Sequence, residues 1–245
     1  MCADNVDEFL KIARERLPLF SEGRLCPDQF VGEILINNGL TANPESNELK
    51  TDFLVRQPIP EYLRPSTPSI LLVLESPHTT EYAGCHPRPA AGNGYSETGR
   101  AIREIFCEAI HLHKSQPNGR YPLFIINAIQ FQCSLGNIKK HRDAIFRKCW
   151  TEFAQENFRS RFLSIYKHGD ITINACTAGK KPKVDEVKIR ELIKIEIEKI
   201  TSTSFEVQHP ASWRRIRNTA IKRCLPPSFR WQKKAFWRPQ TRIKR

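Results

Sequence analysis

The chain has 245 residues, 40% of them hydrophobic, which suits one α/β domain with a substantial core and leaves two full domains cramped. No N-terminal run joins a basic start to an apolar stretch, and no segment approaches ~18 consecutive apolar residues, so secretion and a membrane partner are set aside and a soluble, cytoplasmic protein with reduced thiols at its eight Cys is expected. The formal charge of +13 is lopsided: Ala211 to Arg245 holds twelve Lys or Arg and no Asp or Glu, together with Trp213, Phe229, Trp231, Phe236 and Trp237, a mixture suited to phosphates and stacked bases.

In chain order, Val6, Phe9, Leu10, Ile12, Ala13 and Leu17 have helical spacing, and residues 28 to 37 are expected to form a second helix ending near Asn37-Asn38-Gly39. A Pro-rich connector from Gln57 to Pro68 leads into Ile70 to Leu74, apolar on both faces as a central parallel strand requires. After a loop from Gly84 to Gly94, the spacing of Ala101, Ile102, Ile105, Phe106, Ala109 and Ile110 predicts a helix on the sheet. A second strand is expected over 122–127 and helix over 141–167, with Ile145, Trp150, Phe153, Phe158 and Phe162 inward. The third strand is Ile171 to Ile173. Residues 184–193 read as helix, the alternation of Ile193, Ile195 and Ile197 leaves open where helix gives way to strand, and a fourth strand ends at Gln208.

Each of the four apolar runs leads directly into a polar segment: Glu75-Ser76-Pro77-His78, Asn127, Asn174-Ala175-Cys176-Thr177 and His209-Pro210-Ala211-Ser212. In an open parallel sheet ligands bind beyond the carboxyl ends of the strands, so these segments are expected to converge on one pocket, read here as a nucleobase pocket.

Taken in order, strand-Glu-Ser-Pro-His, Pro89-Ala90-Ala91-Gly92, strand-Asn127, Asn174 to Lys181 and strand-His209-Pro210-Ala211 resemble the uracil-DNA glycosylase superfamily over roughly residues 70 to 217. The resemblance implies that Glu75 lies in the water-activating loop with Ser76, that Asn127 reads the base, and that His209 is the catalytic histidine. It also places Ser212, Trp213, Arg214 and Arg215 where family members insert a wedge beside the flipped nucleotide, with Lys180 and Lys181 as further phosphate contacts. The chemistry matches the residue types, because breaking a base-to-sugar bond builds positive charge on the sugar and negative charge on the base. Plainer alternatives stand beside each role: a surface acid for Glu75, a histidine in an X-Pro turn for His209, a buried Asn bonding local backbone for Asn127, and a simply buried Trp213.

Two departures bear on substrate. Family members commonly place a Phe that stacks on the base where this chain has Ala90, with Tyr95 as an alternative ring, and a large uracil-specific branch has Tyr where this chain has His78. Both argue against strict uracil selectivity, Ala90 by making room for a larger base, and the combination resembles bacterial antiviral glycosylases that excise glucosylated hydroxymethylcytosine from phage DNA. Cys133 and Cys149 match the spacing of two iron–sulfur ligands in another branch, but the N-terminal Cys pair is missing and only Cys2 and Cys26 could complete the set. No metal or cofactor is therefore expected, and DNA is the expected partner.

The expected fold is a central four-stranded parallel sheet flanked by helices. It would form a single domain with an N-terminal helical cap and connector (1–68), a catalytic core (69–217) and a basic aromatic tail (218–245). An ordinary uracil-DNA glycosylase and a non-catalytic nucleic-acid binding protein are the rival readings.

Overall fold

A computed structural model describes residues 26–38, 40–41, 68–83, 86–87, 97–110, 116–133, 139–179 and 187–215. The expected helix at 6–20, most of the connector, Cys2, Ala90, Tyr95, Lys180, Lys181 and the tail from residue 218 lie outside the described residues, as do the side chains of Arg214 and Arg215.

The central strand β3 (Ile70–Leu74) is buried along its whole length. It pairs in parallel with β6 (Gly119–Asn127) on one side and β7 (Ile171–Asn174) on the other, and β7 pairs in parallel with β8 (Ser204–Glu206). The sheet is mixed rather than purely parallel, which corrects the four-stranded expectation. β1 (Gln29–Asn37) joins β6 antiparallel and β2 (Leu40–Thr41) extends that edge, giving the order β2-β1-β6-β3-β7-β8. A separate two-stranded ribbon pairs β4 (Tyr82–Ala83) with β5 (His86–Pro87).

The helix expected at 28–37 is thus strand β1. Val31, Ile34 and Leu35 imitate helical spacing because the register shifts between Phe30 and Gly32, a bulge that Gly32 permits with φ 140°. The extra residue breaks the period-two pattern. Val31, Ile34 and Ile36 still face the core while Leu35 turns outward.

Two apolar layers sandwich the sheet. On one face Ile70, Leu72, Leu123, Ile125, Ile171 and Ile173 meet Ala101, Ile102, Ile105 and Phe106 of α1 (Glu97–Ala109). On the other, Leu71, Val73, Phe124 and Ile126 meet α2 (Lys139–Cys149), α3 (Gln155–Ile165) and α4 (Ile189–Glu198). The alternation at Ile193, Ile195 and Ile197 lies inside α4: Ile193 and Ile197 are buried and Ile195 is exposed.

α2 runs into α3 through one wide turn, Trp150–Ala154, in which the Gln155 N–H donates to the Trp150 carbonyl. The extra residue in that turn shifts the phase of the buried stripe. Trp150, Ala154, Phe158 and Phe162 point inward, whereas Phe153, expected inside, is 45% exposed and packs edge-on to Phe131 at 5.9 Å. At the far end of α4, the Glu196 carboxylate, 1% exposed, accepts hydrogen bonds from Gln155, Arg159 and Lys199 and ties α4 to α3. No helix among the described residues is long and apolar enough to cross a membrane.

Candidate active site

The chain leaves β3 toward β6 on one side and later leaves β7 toward β8 on the other, so the adjacent carboxyl ends of β3 and β7 form a topological switch point, the place where ligands bind in sheets of this kind. Glu75 is the first residue past β3 and is only 5% exposed. Past β7, Asn174 accepts from the Cys176 N–H through its side-chain oxygen and donates to the Arg190 carbonyl, while the Arg190 guanidinium donates to the Cys176 carbonyl. This bracing aims the Thr177 N–H at Glu75 Oε2, 3.0 Å away.

His209 reaches the same oxygen from the segment after β8, its Nε2 lying 3.5 Å from Glu75 Oε2. The Ala211 N–H donates to His209 Nδ1 at 3.2 Å, which assigns the proton of a neutral ring to Nε2, the nitrogen facing the site. Burial by itself would raise the Glu75 carboxyl. The opposing charges of His209 and Arg142, with the Thr177 N–H and the residue's own N–H, outweigh burial and hold it below its ordinary value. Glu75 is therefore a buried carboxylate that keeps its charge.

His78 sits at the exposed rim of the same loop. The Thr80 N–H donates to its Nδ1, and the Glu81 carboxylate closes the turn by accepting the His78 N–H at 3.0 Å. Desolvation first, and His209 second, hold its imidazole below the ordinary histidine range, with Glu75 opposing. Ser76 is hydrogen-bonded to the Cys133 thiol.

Asn127 ends β6, level with Leu74 and one strand over from Glu75, and is fully buried. Its backbone is clamped: Arg161 bridges Asp28 Oδ2 at 2.6 Å and the Asn127 carbonyl at 2.9 Å, and the Asn127 N–H donates to Asp28 Oδ1. The side-chain amide approaches Cys26 Sγ at 3.9 Å, and its Oδ1 accepts no hydrogen bond among the described residues. The plainer alternative for Asn127, an amide bonded to local backbone, thus does not hold for this oxygen.

The expected wedge is corrected at Trp213. This ring is 2% exposed, packs edge-on to Phe106 of α1 at 6.2 Å, and donates its indole N–H to the Gln208 carbonyl at 2.7 Å. A ring held there anchors the His209 segment from behind and has no free face for a base step. Ser212 is likewise turned inward on its own loop, donating from Oγ to the His209 carbonyl at 2.6 Å.

Burial pushes the Cys133 thiol well above its usual range, Cys149 beside it adds to this, and Ser76 opposes it. Among the described residues no three His, Cys, Asp or Glu side chains are grouped to hold a metal ion, and Cys2, needed for the set with Cys26, lies outside them.

Sequence reading missed Arg142, in the first turn of α2, whose Nη1 stands 3.8 Å from Glu75 Oε1. It also missed the Asp28–Arg161 clamp under Asn127. In comparisons with known proteins, no family model, no curated protein and no solved structure matches the chain.

Proposed function

We propose that the protein is a monofunctional DNA glycosylase that hydrolyses the N-glycosidic bond of an extruded, bulky modified pyrimidine and leaves an abasic site. Glucosylated hydroxymethylcytosine in phage DNA is the substrate type the sequence resemblance favours, which would make the reaction an antiviral one. The observation that carries the reading is the buried, charged Glu75 with His209 Nε2 3.5 Å from it, at the switch point between β3 and β7.

Such a pair suits the reaction. As the bond between C1′ and the base nitrogen breaks, its electron pair leaves with the base and positive charge grows on the sugar. Glu75 stabilises that charge and takes a proton from the water that adds to C1′, while the Nε2–H of His209 donates to an oxygen of the departing base. The target atom is out of reach inside a duplex, so the nucleotide must be flipped. The unpartnered Asn127 Oδ1 supports a base-reading role, since a buried acceptor without a donor is costly and a donor on a pyrimidine edge would offset that cost.

The preference for a bulky base rests on Ala90 and His78 in the sequence. Side-by-side single-turnover assays on uracil-containing DNA and on phage DNA with glucosylated cytosine test it, the expected result being abasic sites in the second. Cleavage of uracil DNA alone would make this an ordinary uracil-DNA glycosylase, and binding without abasic sites in either would make it a nucleic-acid binding protein. Ala90→Phe should refill the pocket and shift the ratio of the two rates toward uracil through restored stacking; an unaltered ratio would remove Ala90 from the base pocket.

A further inference from the structure

The two oxygens of Glu75 are held differently. Oε2 accepts the Thr177 N–H and faces His209, whereas Oε1 faces the guanidinium of Arg142, 3.8 Å from Nη1 and beyond hydrogen-bond reach. Arg142 is not free to close that gap. Its Nε and Nη2 both donate to Asp143 Oδ1, at 2.8 and 2.6 Å, so the fork that would pair with a carboxylate is already engaged.

Asp143 in turn packs against the opposite wall. A Cβ placed on Gly179, whose φ is +80°, would lie 3.3 Å from Asp143 Oδ2, so the loop that presents the Thr177 N–H rests on the same acid that locks Arg142. Two adjacent residues of α2 thus brace both sides of the switch point.

We propose that Arg142, locked by Asp143, is a positioning residue that fixes the charge and the aim of Glu75 while leaving Oε1 open to water and the sugar. The role in hydrolysis rests on the glycosylase reading above. A guanidinium that cannot form a bidentate pair acts as a fixed positive charge, and the oxygen it faces keeps its lone pairs for a reactant. The other groups that face Glu75 are His209 after β8, His78 on its own loop, and the thiols of Cys133 after β6 and Cys176 after β7. Burial keeps both thiols protonated, which leaves Arg142 as the partner whose charge does not depend on pH.

The test uses the full chain carrying Arg142→Gln, Arg142→Lys or Asp143→Asn. Two quantities are read: the pH profile of single-turnover cleavage on the two DNAs above, and the carbon-13 titration of the Glu75 carboxyl, assigned by its loss in Glu75→Gln. Arg142→Gln should move the acidic limb and the carboxyl midpoint upward together by about one pH unit. Arg142→Lys should keep both near the parent because a charge remains, and Asp143→Asn should lower the plateau rate with little change in the limb.

A merely structural role would lower thermal stability and leave the midpoint where it was. An unmoved midpoint in a folded Arg142→Gln, or a midpoint in Arg142→Lys raised as far as in Arg142→Gln, would overturn the proposal. If the parent cleaves neither DNA, the glycosylase reading fails by itself, and a carboxyl midpoint raised by Arg142→Gln still upholds the control of Glu75 by Arg142.

Discussion

Two buried glutamates in this protein live in opposite surroundings. Glu196, on α4, is saturated: Gln155, Arg159 and Lys199 all donate to its carboxylate, which spans the gap to α3. Glu75, past β3, accepts one hydrogen bond from another residue and otherwise faces the His209 ring and the Arg142 guanidinium at 3.5 and 3.8 Å. Both carboxyls are held below their ordinary value against the opposing effect of burial. The difference lies in what remains available. A carboxylate whose lone pairs are all engaged can only hold the fold together, whereas one kept ionised by charges at a distance can still bind a reactant.

Neutralising each acid while keeping its shape separates the two roles. Glu75→Gln should slow single-turnover cleavage by about 10²–10⁴-fold, the usual worth of a general base, with DNA affinity nearly unchanged. A rate within a few-fold of the parent would move the role to another group. His209→Ala should cost about 10²–10³-fold in rate, because the charge on the departing base exists only as the bond breaks. Loss of affinity at a normal rate would instead make His209 a binding residue.

Glu196→Gln should leave the cleavage rate intact at low temperature and lower stability by about 1–3 kcal/mol, read from denaturant midpoints, since hydrogen bonds to a charged acceptor are lost. Arg159 and Lys199 remain partly solvated, which limits the penalty. The smallest effect is the pH dependence. A depressed folded-state carboxyl contributes stability above its unfolded value, near ~4.3, and loses it as pH falls through the lower folded value. The parent should therefore lose an acid-dependent share of stability that Glu196→Gln lacks, and parallel acid-unfolding curves for the two would show that the Glu196 charge contributes nothing.

The strand ends were legible because a parallel strand buried on both faces must be a continuous apolar run, and Ile70 to Leu74 and Ile171 to Ile173 are such runs. That made the placement of Glu75 and of the Asn174 to Thr177 segment readable as well. β1 was not, since one bulge at Gly32 turned its alternation into a helical imitation. Phe153 was misplaced for a related reason: a single wide turn rotated it out of the buried stripe. Arg142 stands in a run of cations, Lys139, Lys140, His141 and Arg142, with nothing local to say which one turns inward. Trp213 shows the limit in the other direction, since its neighbours Arg214 and Arg215 suggested a surface role while Phe106, over a hundred residues earlier, decided its burial.

The central position of β3 also bears on how the chain must be made. Its partner β7 begins 101 residues further on, the separation across which Ser69 and Asp170 are joined. Until Ile171 to Asn174 has left the ribosome, Ile70 to Leu74 presents an uncovered apolar edge to the cell. Apolar strands left uncovered during synthesis favour aggregation, so recovery of soluble protein should fall with faster synthesis or higher growth temperature before any property of the finished molecule changes.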